Sequence, residues 1–147
     1  CGKKGYRKKI ATTDLFPQIT QILFMPEIPN QEFTHQIIGA AYKIFNELGF
    51  GYQEKYYQRA FAEELKLLRL PFQKERLVNI EYGDKIIGRY FIDFEIDNKL
   101  VVELKIGSEF YKKYINQVLA YLKSSGIRFG LLILFTKDGI RVKRLII

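Results

Sequence analysis

Residues 90–105 read YFIDFEIDNKLVVELK, and charged side chains recur in this stretch among some of the most apolar residues of the chain. A buried charge without a partner costs several kcal/mol, which is on the order of the net stability of a small domain. The charged residues in question are Asp93, Glu95, Glu103 and Lys105. These side chains therefore face either water or one another, around a group that needs them.

The geometry of β-strands predicts which of these charges meet. Successive side chains of a strand point to opposite faces, so Asp93 and Glu95 are expected on one face. The other face is expected to hold Ile92, Phe94 and Ile96. A turn at residues 97–98 brings Asp93 opposite the neighbourhood of Glu103, and paired side chains have Cβ atoms about 5 Å apart. We expect Asp93, Glu103 and Lys105 to cluster in mid-sheet, and Glu95, nearer the turn, to be solvated.

Two chemical interpretations of this cluster are open. Adjacent carboxylates repel each other unless a proton or a cation lies between them, and Mg²⁺ is commonly held by one or two carboxylates plus substrate phosphates. A nearby lysine stabilises a pentacoordinate phosphate, so the group is suited to cutting phosphodiesters with metal-activated water. Alternatively, the sheet face is simply solvated, and Lys105 forms a salt bridge with Glu103 or Asp93.

Apolar periodicity and turn signals predict the remaining elements. Helices are expected at 33–48, from about 53 to 70 and from about 110 to 125, and Pro71 closes the second. Strands are expected at 72–82, 85–96, 99–106, 129–135 and 140–147. This order predicts an α/β fold with a central mixed β-sheet flanked by helices.

The composition limits the possible architecture and chemistry. The chain has 147 residues and is 48% hydrophobic, which predicts one domain at 31–147. Residues 1–30 are expected to form a basic N-terminal extension, flexible or docked, in which 19–24 is a candidate edge strand. Cys1, the single cysteine, excludes an internal disulfide and a cysteine zinc site within one chain, and the single histidine argues against a zinc-hydrolase site. No apolar run approaches about eighteen residues, so we expect a cytoplasmic protein without a membrane partner.

The net charge of +8 favours polyanionic partners, although an ordinary lysine excess explains it equally well. Nucleic acid is the expected partner, with DNA ahead of RNA. The oligomeric state is left open, a dimer being one option. Basic residues that are candidates for phosphate contacts are Lys55, Arg59, Lys112, Lys113 and Arg128.

Asp93 followed by Glu103-Leu104-Lys105 on the next strand resembles the core of the PD-(D/E)XK nuclease superfamily, with Ile92 in place of the usual proline. Upstream, GYQEKYY at residues 51–57 resembles the signature of the GxxExxY protein family, a branch of that superfamily. The likeness extends from about Phe33 to Leu145. It implies a restriction-endonuclease-like core.

The resemblance also assigns roles to individual residues. It implies that Asp93, Glu103 and Glu54 bind the metal and that Lys105 is the catalytic lysine. Gln117 matches a polar position on the helix after the core and joins the implied catalytic set. The signature residues are Gly51, Glu54 and Tyr57. Structural alternatives exist, because a carboxylate at a helix N-terminus is favourable by itself and a tyrosine at this spacing suits a core.

The function predicted from these features is a Mg²⁺-dependent phosphodiesterase, that is, a nuclease-like protein that hydrolyses phosphodiester bonds in nucleic acid. Mn²⁺ is expected to substitute for Mg²⁺. The alternative is a non-catalytic nucleic-acid-binding or interaction module on the same fold. Metal-dependent cleavage separates the first from the second.

Overall fold

The computed structural model describes residues 29–147, which contain three helices and five strands in the predicted order. The helices are α1 (Gln31–Leu48), α2 (Glu54–Leu67) and α3 (Lys112–Ser125). The strands are β1 (Phe72–Tyr82), β2 (Lys85–Ile96), β3 (Leu100–Ile106), β4 (Phe129–Thr136) and β5 (Gly139–Ile146). The expected basic extension and the candidate strand at 19–24 fall almost entirely on residues 1–28, outside the described part.

The five strands form one mixed sheet in the order β1-β2-β3-β4-β5. Neighbouring strands are antiparallel except β3 and β4, which run parallel from the pair Leu100–Phe129 to the pair Ile106–Phe135. Parallel neighbours need a crossover connection, and α3 supplies it. The predicted mixed sheet flanked by helices is therefore confirmed. None of the helices within residues 29–147 is long and apolar enough to cross a membrane.

Local sequence explains where the helices begin and end. The side chain of Asn30 caps α1 by accepting a hydrogen bond from the Phe33 N–H group at 2.8 Å. Helix α2 ends at Leu67, earlier than the predicted residue 70, because Arg69 adopts a left-handed conformation with φ of 55° and Pro71 follows. Gly126, with φ of 77°, ends α3 as predicted.

The sheet has a core on each face. One core packs α1 and α2 on the sheet and is built around Ile37, Ile44, Tyr57, Phe61, Phe94, Leu104, Ile133 and Phe135. The other packs α3 on the opposite face and contains Val78, Ile92, Val101, Val118, Tyr121, Leu122 and Ile127. All eight residues of β4 are buried, because helices cover both of its faces.

Side-chain alternation along β2 is interrupted at Asp93, which corrects one prediction. Ile92 packs with α3, whereas Phe94 packs with α1 and α2, so these residues do not share a face. The β1–β2 pairing omits the Glu75–Asp93 pair, and Glu75 has a left-handed φ of 53°. This local distortion reverses the direction of the side chains on either side of Asp93.

The prediction that Glu95 is solvated is also wrong, because α3 covers the face of the sheet on which Glu95 lies. Glu95 is 8% exposed and lies on the α3 side of the sheet. The Tyr121 hydroxyl donates a hydrogen bond to its carboxylate, and Arg76 Nε lies 3.5 Å from the same oxygen. Burial of this charge is thus offset by two partners that are distant in sequence.

Gly130 of β4 allows α3 to approach the sheet closely. A Cβ atom at this position would lie 2.6 Å from Cγ1 of Val118, a distance that a well-packed core does not accommodate.

We expect Gly130→Ala to lower the free energy of unfolding by about 1–3 kcal/mol in urea titrations followed by circular dichroism. Gly39→Ala is the matched control, because a methyl group on this exposed glycine of α1 would meet no other atom within 4 Å and should add about 0.5–1 kcal/mol of stability. Equal effects of the two substitutions would contradict this account.

Candidate active site

Strands β2 and β3 separate at Asp93. From this point, carboxylate side chains accept the hydrogen bonds of backbone N–H groups in place of backbone carbonyl groups. The backbone ladder between the strands includes the pair Phe94–Val102 and does not continue past it. Beyond that point the Asp93 N–H group donates to Oε2 of Glu103 at 3.0 Å, and the Leu104 N–H group donates to Oδ2 of Asp93 at 2.7 Å. The side chains thus satisfy backbone donors that the separation leaves unpaired, and this fixes both carboxylates.

Lys105 connects this carboxylate pair with both helical layers. Its Nζ atom lies 2.9 Å from Oε1 of Glu103 and 3.6 Å from Oε1 of Glu54, the first residue of α2. It also lies 5.1 Å from the ring centroid of Tyr114 in α3. Burial lowers the pKa of Lys105, but the neighbouring carboxylates raise it, and the net shift is upward. The lysine is therefore a fixed positive charge at neutral pH.

When both are ionised, Asp93 and Glu103 carry more negative charge than the single positive charge of Lys105 offsets. Burial, followed by the charge of Glu103, raises the pKa of Asp93 to about 8 against the opposing effects of the Leu104 N–H group and Lys105. Burial also raises the pKa of Glu103, and Lys105 acts in the opposite direction. Such a pair favours a bound proton or a cation, which is the electrostatic condition of a metal site.

Gln58 is a site residue that sequence reasoning missed. Its Nε2 atom donates to Oδ1 of Asp93 at 2.9 Å and to Oε1 of Glu54 at 3.2 Å. Residues four apart share a helix face, so the spacing from Glu54 to Gln58 was a usable signal. The amide holds the two carboxylates in place.

The predicted metal ligands are only partly brought together. Within residues 29–147, no three His, Cys, Asp or Glu side chains converge in a group that could hold a metal ion. Asp93 and Glu103 adjoin each other, whereas Glu54 contacts Gln58 and Lys105 instead. Two carboxylates completed by substrate phosphates are nevertheless a usual donor set for Mg²⁺. The residues therefore fit a divalent cation through Asp93 and Glu103.

Gln117 lies on α3 with its side-chain oxygen buried. No donor among residues 29–147 reaches this Oε1 atom, and the backbone carbonyl of Gln117 accepts a 2.7 Å hydrogen bond from the Tyr90 hydroxyl. Burial and the charge of Glu103 raise the pKa of Tyr90 to about 12, so this hydroxyl stays protonated. Gln117 follows Tyr114 by three residues and shares its face of α3. A buried amide oxygen without a donor is a natural position for water or substrate.

The signature residues at 51–57 shape the loop that leads into α2. Gly51 has φ of 120°, which strongly favours glycine, and Glu54 begins the helix. Tyr57 is fully buried, and its hydroxyl donates to the Gly49 carbonyl at 2.6 Å. Tyr57 therefore anchors the loop from the core.

The basic residues proposed for phosphate contacts fall at different places. A cavity of about 120 Å³ beside Asp93 is lined in part by Lys55, Arg59 and Lys74. Lys112 and Lys113 begin α3, and Nζ of Lys113 lies 5.1 Å from the Tyr114 ring centroid. Arg128 precedes β4 at the other end of the sheet, where its Nε atom donates to the Ile147 carbonyl at 3.1 Å. Arg128 is thus remote from the cluster.

Comparisons with known proteins place the chain in a family. No curated protein matches the chain. A solved structure, the crystal structure of SSO0001, is 16% identical, covers 90% of this chain and 75% of that chain, and gives a TM-score of 0.39. The model of the PD-(D/E)XK nuclease superfamily matches residues 31–145, a range that includes the carboxylate–lysine cluster. This match confirms the resemblance at the level of the superfamily and implies nuclease-like function on nucleic acid. The chain belongs to the PD-(D/E)XK nuclease superfamily.

Proposed function

We propose that the protein is a metal-dependent nuclease that hydrolyses phosphodiester bonds in nucleic acid, with DNA preferred over RNA. The observation that carries the proposal is the cluster of Asp93, Glu103 and Lys105. The half-buried Asp93 and the buried Glu103 meet where strands β2 and β3 separate, and Nζ of Lys105 lies 2.9 Å from Oε1 of Glu103. Lys55, Arg59 and Lys74 line part of the cavity beside Asp93, which suits the approach of a phosphate backbone.

Asp93 and Glu103 would hold Mg²⁺, and Mn²⁺ would serve in its place. Glu54 is the proposed third ligand, and its present contacts with Gln58 and Lys105 have to change before it takes that role. When bound, the divalent cation supplies Lewis-acid polarisation of the scissile phosphate and lowers the pKa of a bound water.

The remaining polar residues act through position and charge. Lys105, oriented by Glu103 and Glu54, directs a positive charge to the region where a phosphate gains negative charge. The amide oxygen of Gln117, which has no donor among residues 29–147, would accept a hydrogen bond from a water molecule. Gln58 is a positioning residue, because it acts through the carboxylates of Glu54 and Asp93.

The GxxExxY branch is the proposed subfamily. Two structural features of its signature support this assignment, namely the left-handed Gly51 and the buried, hydrogen-bonded Tyr57.

Residues 31–147 are the proposed nuclease domain, preceded by a basic extension at 1–30 in a cytoplasmic protein. The start of the family match at residue 31 supports this boundary.

Cleavage assays on single-stranded DNA, duplex DNA and structured RNA test the proposal. We expect cutting with Mg²⁺ or Mn²⁺, none in EDTA, and a loss of about 100-fold or more in Lys105→Ala. Lys123→Ala is the matched control, because this exposed lysine lies nine residues beyond Tyr114 on α3. A folded wild-type protein that cuts none of these substrates, yet binds them in a salt-sensitive way, would instead be the non-catalytic binding module.

The stability of the metal-free protein should fall as the pH rises from about 4 to about 8. The unfolded chain releases the Asp93 proton near pH 3.8, whereas the folded state keeps it to about pH 8. The folded state thus binds the extra proton in this window, and the stability it contributes is complete below the window and lost above it. Urea unfolding in EDTA at pH 5 and pH 8 measures the effect.

Asp93→Asn should flatten this decline, because an amide does not titrate in this pH window. Asp84→Asn, at an exposed acid in the β1–β2 turn, should keep the wild-type slope. An unchanged slope in Asp93→Asn would refute the assigned cause.

Addition of Mg²⁺ or Mn²⁺ should stabilise the wild-type protein in thermal melts, and more at pH 8 than at pH 6. The cation competes with the proton on Asp93, so its affinity rises as the carboxylate ionises. At one hundred times the dissociation constant, the expected stabilisation is about 2.7 kcal/mol. Asp93→Asn and Glu103→Gln should lose the shift, and Asp84→Asn should retain it. The same shift in all four proteins would place the metal elsewhere.

A further inference from the structure

Large aromatic side chains lie exposed around the carboxylate–lysine cluster. Phe50 is 46% exposed, Tyr52 51%, Tyr56 42% and Tyr111 47%. We call these four residues the aromatic surface. The first three flank Glu54 in sequence, and the ring of Tyr111 packs edge-on against Tyr114, the ring beside Lys105. Exposed apolar groups gathered at one site mark a binding surface.

Cations lie over the rings of this region. Nζ of Lys55 and Cζ of Arg59 are 5.1 Å and 5.6 Å from the Tyr56 centroid, and Nζ of Lys113 is 5.8 Å from that of Tyr111. The alternation of an aromatic face with a positive charge matches the alternation of base and phosphate in an unpaired strand.

A cavity of about 390 Å³ lies at the end of β3, where Gly107 and Ser108 follow Lys105 and Ile106. It is lined by Phe50, Gly107, Ser108, Lys137, Ile140 and Arg141, among others. Arg141 donates to the Ser108 carbonyl at 3.0 Å, and its Cζ atom lies 5.1 Å from the centroid of Phe110. The cavity therefore combines an exposed aromatic wall at Phe50 with a positioned guanidinium. This combination suits a flat base and its adjoining phosphate.

We propose that the substrate is single-stranded nucleic acid and that an unpaired base next to the site stacks on Phe50 in this cavity. The strand would run on past Asp93, where Lys55, Arg59 and Lys74 line the smaller cavity. Bases of a duplex stack on one another and expose no face to protein rings without unstacking, so the aromatic surface distinguishes unpaired from paired strands. This inference rests on the proposed nuclease function and adds its substrate class.

Binding measured without cleavage tests the inference. A fluorescently labelled oligonucleotide and its duplex are titrated with protein in EDTA, and anisotropy gives the two affinities. We expect tighter binding of the single strand and a loss of at least about 5-fold in Phe50→Ala or Tyr52→Ala. Tyr82→Ala is the matched control, because this tyrosine beside the β1–β2 turn is 78% exposed and pairs with Lys85, eight residues along β2 from Asp93. The control should bind as wild type does.

A spectroscopic readout reports stacking directly. The chain contains no tryptophan, so Phe50→Trp introduces a single indole whose fluorescence a stacked base quenches. We expect quenching by the single strand and little by the duplex, and no quenching in Tyr82→Trp with either. Circular dichroism and thermal melts confirm that each variant is folded.

Two outcomes would overturn the inference. One is wild-type affinity for the single strand in Phe50→Ala, and the other is equal or tighter binding of the duplex with no quenching in Phe50→Trp. The nuclease proposal would survive either result if Lys105-dependent cleavage of duplex is observed. Conversely, quenching by the single strand without any cleavage would support the binding surface and count against the nuclease.

Discussion

The separation of β2 from β3 at Asp93 is the constraint on which the rest of the site depends. β3 stays hydrogen-bonded to β4 from residue 100 to residue 106, while β2 pairs with β3 only over residues 94–96. The carboxylates of Asp93 and Glu103 accept hydrogen bonds from the backbone N–H groups that this separation leaves without strand partners. Unpaired buried N–H groups cost free energy, so the separation of the strands depends on the two acids as acceptors. The acids in turn are positioned by these N–H groups.

This arrangement places like charges in a buried position, and the protein offsets the cost with contacts from both helical layers. Helix α2 brings Gln58 to Asp93, and Lys105 of β3 lies between Glu54 of α2 and Tyr114 of α3. The raised pKa of Asp93 shows that the offset is incomplete. A carboxylic acid with a perturbed pKa beside a charged partner is typical of sites that bind or react.

The α3 side of β2 carries a second buried acid, Glu95, which is held by a different set of contacts. Glu95 points towards α3, on the side of β2 opposite Phe94 and Ile96, where Tyr121 and Arg76 are its partners. Close approach of α3 to the sheet, which Gly130 permits, covers this charge. Two acids that lie two residues apart on β2 therefore have different environments, Asp93 at the candidate site and Glu95 in a structural ion pair.

Sequence periodicity alone determined the order and approximate limits of the helices and strands. Apolar stripes and turn residues are local signals, and the spacing from Asp93 to Glu103 and Lys105 follows from strand alternation and one tight turn. The cluster itself was predictable for that reason, and Gln58 was predictable from its four-residue spacing from Glu54.

Only the tertiary structure decided which face each acid occupies and which partners it has. The reversal at Asp93 depends on the distorted pairing of β2 with β1 at Glu75, and no local pattern encodes it. The partners of Glu95 come from two different elements, β1 and α3. Strand alternation sets side-chain direction only while pairing is regular, so long-range packing fixed what the amino-acid pattern left open.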